Sequence, residues 1–300
     1  MYNKKLCGHD FDEDCECAAN ILGSSEMQEM MYKTNDLFSE SRKIFELISN
    51  LENPKHVKED PKYIRYIYTY TDIVLRGGKS FTSSCARSDI GLIGAAGAAR
   101  TLFEIGINTM YIKKSKNEHL QQFIANAART FKKSTNLFWK FREKENEEIP
   151  EIYVKSKEGL EKLKQIHGEP RLSNRWSGGS VRDRANDVGM KRVYDFLYPL
   201  LSSIAHASSI QMFAYSDMKE NITDKVGKVP LRSTPDIFSE IFFYYPAWMI
   251  VLWSVDLLTS EFIKVFEIPY RETMDYTKIR SSTKEVVEEF FELCELSAEE

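Results

Sequence analysis

The spacing of apolar residues constrains the fold of this chain more than any other feature of its sequence. Between breaks that contain glycine or proline, apolar residues recur every three or four positions, as in the run from Met27 to Ile48. This spacing is typical of amphipathic α-helices. No segment alternates apolar and polar residues between turns as a half-buried strand does. The sequence therefore predicts an all-α fold, a multi-helix bundle of about seven to nine helices with no substantial sheet.

Capping and turn residues indicate the ends of the first two helices. The first is predicted from Ser24 or Ser25, as N-cap, to about Leu51. The second is predicted to begin at Asp60-Pro61, because proline suits the first helical turn, and to stop at Gly77-Gly78.

A third helix is predicted from about Ser88 to Lys114, although its first half is rich in glycine. Each glycine costs a helix about 1 kcal/mol relative to alanine. The glycines at 91, 94 and 97 recur at a spacing of three, so we expect close packing against a neighbour in compensation. They do not indicate a phosphate-binding loop, since no strand precedes them.

Residues 169–180 form the only long polar, glycine-containing segment, and loops of this length are often functional. The segment leads into a short helix that is predicted to end at Gly189. Two more helices are expected after it, one over residues 190–209 that Pro199 interrupts, and an apolar one over residues 235–266.

The longest apolar run, Ile241 to Trp253, is shorter than the about 20 residues that cross a bilayer. A central core helix is therefore favoured over a membrane span. Residues 1–14 contain no apolar core followed by a small-residue cleavage site, so we expect a cytoplasmic protein. We expect three parts: an acidic Cys/His-containing segment (1–23), a helical bundle domain (24–266), and a C-terminal linker with an acidic helix (267–300).

The N-terminal segment holds four residues of the types that ligate zinc: Cys7, His9, Cys15 and Cys17. They are close enough in sequence to surround one ion, which indicates a structural zinc site. Their spacing lacks the two-residue gap of common zinc fingers, and acidic residues lie among them, so an unligated acidic terminus is the alternative. No other cofactor is expected to be required.

Arg100 and Glu104 lie four residues apart and project from one face of an otherwise apolar helix. The spacing fits a catalytic pair. It fits a structural ion pair equally well, because buried charges are paired in either case.

His206 is the best candidate for proton transfer, since a histidine exchanges protons near neutral pH. Three residues with hydroxyl groups share its helix stripe at four-residue spacing: Tyr194, Tyr198 and Ser202. Of these, Tyr194 and Ser202 are predicted to contact a substrate. The alternative is that His206 is a hydrogen-bonded core residue.

Residues 171–192 are locally basic, with six arginines and lysines against two aspartates, in a chain with a net charge of -4. Trp176 lies beside Arg175, and Arg182 and Arg184 follow. Arginine grips phosphates and an aromatic ring stacks on bases, so these residues are predicted to bind RNA or another nucleic acid. A solvated arginine face anchored by tryptophan is the alternative.

Several of these residues occur in the order found in a family of microbial proteins. Arg100-x-x-x-Glu104, Trp176-Ser177-Gly178, Tyr194 and Ser202-x-x-x-His206 resemble an all-helical family known as domain of unknown function family 5677. The resemblance spans roughly residues 30–260. It implies an α-helical fold with these residues as its polar centre, and it implies no activity.

More distantly, a helical bundle with an arginine and a histidine facing a cleft resembles the HEPN (higher-eukaryote and prokaryote nucleotide-binding) ribonucleases of phage-defence and toxin systems. Those proteins place an arginine shortly before the histidine on one helix, whereas this chain has Leu200, Leu201 and Ser202 there. The arginine partner of His206 must then come from elsewhere, and Arg100 is the expected one.

These patterns support two functions. The first is a metal-independent endoribonuclease, with His206 as general acid or base, Arg100 on the phosphate and Glu104 orienting that arginine. The second is a noncatalytic helical sensor or interaction module, in which the same residues fix packing. In that case the apolar helix around Trp248 binds a helical partner or a second copy of the chain.

Overall fold

A computed structural model describes residues 25–50, 58–85, 91–124, 126, 136–137, 140, 158, 179–205 and 237–297. Within those ranges there are eight helices and no strand. They are α1 (Ser25–Ser49), α2 (Pro61–Cys85), α3 (Gly91–Lys114), α4 (116–124), α5 (Val181–Asp187), α6 (Lys191–Ala205), α7 (Ile237–Val265) and α8 (Tyr270–Ser297). The predicted all-α fold is confirmed.

The chain divides into two compact units. Unit 1 comprises residues 1–106 and 192–300, and unit 2 comprises residues 107–191. The described helices of unit 1 are α1, α2, the first part of α3, nearly all of α6, and α7 and α8. Unit 2 contains the end of α3 together with α4 and α5. The division into three parts at residues 24 and 267 stays a prediction.

The apolar helix α7 forms the centre of unit 1, where it packs against α1, α2 and α8. Every residue from Ala247 to Leu252 is at most 3% exposed. Trp248 Nε1 donates a hydrogen bond to Thr34 Oγ1 at 2.7 Å, and the edge of the Trp248 ring meets Phe81. The apolar surface around Trp248 is therefore used inside unit 1. In the part of the chain that the structure describes, no helix has the length and apolar content needed to cross a membrane.

Three helix ends lie where the sequence predicts them. α1 begins at Ser25, and α2 begins directly after Asp60, whose carboxylate accepts a hydrogen bond from the backbone N of Lys62 at 2.6 Å. Gly189 follows α5 with φ 79°, a left-handed conformation that glycine adopts without strain.

The predicted stop of α2 at Gly77-Gly78 is wrong, because the helix continues to Cys85. Both glycines lie against neighbouring side chains. A Cβ atom at Gly77 would lie 2.8 Å from Leu102 Cδ2, and one at Gly78 would overlap the ring of Phe38. Glycine here allows α1 and α3 to approach α2 closely, and that packing offsets its low helix propensity.

The glycine-rich part of α3 packs closely in part, as expected from the sequence. Three of its alanines are buried: Ala95, Ala96 and Ala99. A Cβ atom at Gly94 would lie 2.8 Å from Ser84 Oγ. At Gly97, by contrast, a Cβ atom would meet nothing within 4 Å, whereas one at Gly106 would overlap the indole of Trp253.

Two substitutions on α3 are expected to change stability in opposite directions. Gly97→Ala should raise the free energy of unfolding by up to about 1 kcal/mol, because alanine favours a helix and has room there. Gly106→Ala should lower it by about 1–3 kcal/mol, because the new methyl group must displace Trp253, whose ring packs against Phe103 and Phe291. Denaturant titration of both variants measures the two changes. A destabilised Gly97→Ala, or an unchanged Gly106→Ala, would contradict this packing.

Buried tyrosine hydroxyls in unit 1 donate hydrogen bonds to carboxylates of α7. Tyr63 of α2 donates to Glu261 Oε1 at 2.8 Å, and both residues are buried. Tyr276 of α8 donates to Asp256 Oδ1 at 2.7 Å, and Arg280 Nε donates to the same oxygen at 2.6 Å. These contacts fasten α2 and α8 to α7.

Candidate functional site

The predicted pair on α3 is formed. Arg100 Nε lies 3.4 Å from Glu104 Oε1, one helical turn along, in unit 1. The two side chains are 24% and 32% exposed. The pair is therefore partly desolvated but still reachable from solvent, which distinguishes it from a fully buried ion pair.

Tyr198 of α6 bridges the two charged groups. Arg100 Nη2 donates a hydrogen bond to the Tyr198 hydroxyl at 2.6 Å, and that hydroxyl donates to Glu104 Oε1 at 3.1 Å. The Arg100 guanidinium carbon also lies 4.8 Å from the centre of the Tyr198 ring. One phenol thus fixes the positions of both charged side chains, and we call these three residues the Arg100–Glu104–Tyr198 cluster.

A series of stacked aromatic rings packs against the Tyr198 side of the cluster. The Tyr198 ring stacks on Tyr194 with centroids 4.5 Å apart, and Tyr194 stacks on Phe103 at 6.1 Å. Phe103 in turn meets the edge of Trp253 on α7. Tyr194 is 9% exposed, so this residue, predicted to contact a substrate, offers little surface in the structure.

Both tyrosines keep their protons at neutral pH. Burial raises the pKa of Tyr198, and the carboxylate of Glu104 raises it further, although the nearby Arg100 opposes these effects. Burial likewise raises the pKa of Tyr194, with the adjacent Tyr198 as the next cause. The cluster therefore combines a cation, a carboxylate and a neutral phenol, a set that can orient an anion but that does not supply a base at Tyr198.

The four-residue spacing along α6 predicted that Tyr198 lies on the same side as Tyr194, and the two rings do stack. Tyr198 was not predicted to be a site residue. Ser202 lies half-buried one turn further along α6. His206 lies outside the described residues, and so do Arg175 and Trp176. The pairing of His206 with Arg100 therefore stays a prediction.

The proposed zinc ligands at positions 7, 9, 15 and 17 also lie outside the described residues. Among the residues that the structure does describe, no group of three or more histidines, cysteines, aspartates and glutamates is arranged to hold a metal ion. The zinc site of the N-terminal segment thus stays a prediction.

The two arginines of α5 in unit 2 have different surroundings, since Arg184 is buried and Arg182 is exposed. Arg184 is 5% exposed; its Nε donates to Asn108 Oδ1 at 2.8 Å, and its Nη1 donates to the Gly179 carbonyl at 3.3 Å. Arg184 therefore ties α5 to α3. Arg182 is exposed and lines an open groove of about 410 Å³ with Lys191, Asn186 and the two aspartates of α5, Asp183 and Asp187.

Local contacts explain why this short helix forms. Ser180 Oγ accepts a hydrogen bond from the backbone N of Asp183 at 3.3 Å, and the Asp183 carboxylate reaches back to the backbone N of Ser180. This reciprocal capping box satisfies the first turn of α5. At the other end of α5, Lys114 Nζ donates to the carbonyl of Asp187.

A histidine that sequence reasoning did not single out is also positioned in unit 2. His119 of α4 stacks on Tyr111 of α3, with ring centroids 3.9 Å apart and ring planes 10° apart. Its Nδ1 lies 2.7 Å from the carbonyl oxygen of Tyr111. The two residues are eight positions apart across the turn at Ser115, a spacing that helical periodicity does not bring together.

Residues 80–224 match a protein family described as a family of unknown function (DUF5677), over a little under half of the chain. The match confirms the predicted resemblance for this segment, which contains Arg100, Glu104 and the helix α6, although it is shorter than the expected residues 30–260. No curated protein matches the chain, and no solved structure matches it.

Proposed function

We propose that this chain acts on RNA or another nucleic acid, which unit 2 binds. One observation carries the proposal, namely the uneven distribution of charge between the units. Residues 107–191 contain 18 lysines and arginines against 11 aspartates and glutamates, while the whole chain has 41 against 45. A basic unit within an acidic protein attracts a polyanion, because binding releases the counterions condensed on its phosphates.

Exposed cations in the described part of unit 2 give the polyanion a place to bind. Arg182 and Lys191 both line the open groove beside α5, which Asp183 and Asp187 also line, and Lys114 is exposed at the end of α3. Lysine and arginine side chains at such positions contact phosphates without reading sequence. We therefore expect binding that depends strongly on salt and weakly on sequence.

A more specific form of the proposal is a metal-independent endoribonuclease of a toxin or phage-defence system. In this form, His206 transfers a proton at the 2′-hydroxyl or the leaving oxygen, and Arg100 stabilises charge on the phosphate. What supports it is that Tyr198 and Glu104 hold the guanidinium of Arg100 in place before any substrate arrives. A group fixed in advance needs no reorganisation at the moment of reaction.

The second candidate is a noncatalytic sensor or interaction module. The hydrogen bonds of Tyr198 also favour this candidate, because Tyr198 bonds to both Arg100 and Glu104 and so joins α6 to α3. In that case the cluster serves packing, and the module would recognise a helical partner or a second copy of the chain through a surface other than the buried centre of α7.

Binding of a fluorescent single-stranded RNA at several salt concentrations tests the proposal. Replacing both Arg182 and Lys191 with alanine should weaken binding and reduce the slope of log K against log salt by about 1 for each phosphate that the variant no longer neutralises. The matched control replaces Lys278 and Lys284 of α8, two exposed lysines of unit 1. A wild-type chain that does not bind RNA at low salt, or a control that weakens binding equally, would overturn the proposal.

Incubation with mixed RNA tests the ribonuclease form. His206→Ala should lower the cleavage rate by about 10²–10⁴-fold, the usual contribution of a general acid or base. Equal RNA cleavage by the wild type and His206→Ala would exclude the ribonuclease form of the proposal. The second candidate predicts instead that His206→Ala and Arg100→Ala lower the melting temperature in proportion to any loss of function, which a thermal scan measures.

A further inference from the structure

A groove of about 540 Å³ lies between α1 and α2 in unit 1, and we call it the α1–α2 groove. The two helices approach each other closely at two points. The ring of Phe38 lies where a Cβ atom at Gly78 would be, and the ring centroids of Phe45 and Tyr68 are 4.9 Å apart. Small-molecule sites commonly have volumes of about 300–1,000 Å³, so the groove is large enough for one small ligand.

Apolar side chains form one part of the groove lining. Phe45, Tyr68 and Leu75 line it; Leu75 is buried, and the two aromatic residues are half-buried. Phe262 of α7 lies 5.4 Å from Phe45, and Phe266, directly after α7, lies 6.4 Å from Tyr68, measured between ring centroids. These contacts hold the two rings in position, and a planar ligand can stack on aromatic side chains held in this way.

Charged side chains line the rest of the groove, three cations against two carboxylates. Arg42 Nε lies 2.9 Å from Glu46 Oε1 on α1, and Arg76 Nε lies 2.9 Å from Asp72 Oδ2 on α2. Each carboxylate is thus neutralised by an arginine of its own helix. Lys79 is the remaining cation; it is exposed, and no residue that the structure describes forms a hydrogen bond or an ion pair with its ammonium group.

The two arginines also keep donors for a ligand. Each binds its carboxylate through Nε, and neither donates a hydrogen bond through its terminal nitrogens to any described residue. A guanidinium presents these nitrogens as a planar set of donors that suits the oxygens of a phosphate. The groove therefore combines aromatic rings with an excess of positively charged donors.

The charge of unit 1 favours a small anion over a polymer. Residues 1–106 and 192–300 together contain 23 lysines and arginines against 34 aspartates and glutamates. A polyanion that extended beyond the groove would meet this excess of negative charge, whereas a single phosphate would meet the cations of the groove. In this respect the α1–α2 groove differs from the basic unit 2.

We propose that the α1–α2 groove binds a small molecule in which a planar ring is joined to a phosphate, as in a nucleoside monophosphate or an aryl phosphate. The ring stacks on Phe45 and Tyr68, and the phosphate accepts hydrogen bonds from Lys79 and from the terminal nitrogens of Arg42 and Arg76. This site lies in unit 1 and does not depend on the proposed binding of RNA by unit 2.

Calorimetric titration with adenosine monophosphate (AMP) tests the site. Lys79→Ala should weaken AMP binding by at least about tenfold, the effect of losing one charged hydrogen bond. The variant should keep the melting temperature of the wild type, since the ammonium group has no partner among the described residues. The matched control is Lys284→Ala, which removes an exposed lysine of α8 in the same unit and should leave AMP binding unchanged.

Parts of the ligand separate the contributions of ring and phosphate. Inorganic phosphate lacks the ring and adenosine lacks the phosphate, so each should bind at least about tenfold more weakly than AMP. Phenyl phosphate keeps both groups, and its binding should also be weakened by Lys79→Ala. Comparison of its affinity with that of AMP then distinguishes an aryl phosphate from a nucleoside monophosphate as the preferred ligand.

Amide chemical shifts locate the bound ligand. On addition of AMP, the largest changes should occur over residues 42–49 of α1 and 68–79 of α2, which contain the groove lining. Changes centred on α5 instead would mean that AMP binds to the proposed RNA surface of unit 2, and they would overturn the proposal for the α1–α2 groove.

Three further results would each overturn this proposal. They are the absence of binding by both AMP and phenyl phosphate up to about 1 mM, equal weakening of AMP binding in Lys79→Ala and Lys284→Ala, and binding of inorganic phosphate as tight as that of AMP. Since none of these measurements uses RNA, they leave the proposed function of unit 2 to its own test.

Discussion

Unit 1 is expected to lose stability steeply once the pH rises above about 10. Its buried tyrosines include Tyr63, Tyr276 and Tyr194, at 0%, 2% and 9% exposure. Burial raises the pKa of each in the folded chain above the ordinary value. Above pH about 10 the unfolded chain therefore loses protons that the folded chain keeps, and the free energy of unfolding falls as the pH rises.

The free energy of unfolding should fall by about 1.4 kcal/mol per pH unit for each such tyrosine, or by about 4 kcal/mol per pH unit for the three together. Below pH about 10 this stabilisation is fully present. Denaturant unfolding at a series of alkaline pH values, followed by circular dichroism, measures the slope. Tyr276→Phe should reduce the slope, whereas Tyr270→Phe, at a position 68% exposed on the same helix, should leave it unchanged. Stability that stays flat to pH about 11 would contradict the burial of these phenols.

The second large effect is expected at Arg184. Arg184→Ala should lower the stability of unit 2 by about 2–4 kcal/mol, because it leaves a cavity and removes the charged donors from Asn108 and the Gly179 carbonyl. Arg184→Lys should have a stability between those of the wild type and Arg184→Ala, since one ammonium group does not reproduce the planar set of donors of a guanidinium. Amide hydrogen exchange over α5 and a thermal melt measure both changes.

Arg182, two residues earlier on the same helix, is the natural control. Because its side chain is exposed, Arg182→Ala should change stability by less than about 0.5 kcal/mol while it weakens RNA binding. If Arg182→Ala destabilised unit 2 as much as Arg184→Ala, the distinct roles of the two arginines would be wrong.

Periodicity along the sequence was sufficient to predict the helices that the structure describes, but not all of their ends. Asp60 acts through its own carboxylate and Gly189 through its own backbone conformation, so their effects can be predicted locally. Gly77 and Gly78 were expected to end α2 because glycine is a poor helix former. The helix continues since Leu102 and Phe38 pack where side chains would otherwise be, and those neighbours are distant in sequence.

The same limit applies to the site residues. The contact between Arg100 and Glu104 follows from their four-residue spacing on one helix, and the structure shows it. The contacts of Tyr198 with this pair depend on how α6 packs on α3, which no local pattern reveals. Nor does the sequence distinguish Arg182 from Arg184, because the difference lies in which side of α5 faces Asn108.

The bridge at Tyr198 has a direction. A phenol has one hydrogen to give, and here Glu104 takes it, so the lone pairs of the oxygen are turned toward Arg100. An anion that drew Arg100 away would leave those lone pairs without their donor, and one that displaced Glu104 would leave the hydroxyl without its acceptor. The hydrogen bonds of Tyr198 are thus tied to the positions of Arg100 and Glu104, so a ligand that moved either residue would also change the surroundings of the phenol.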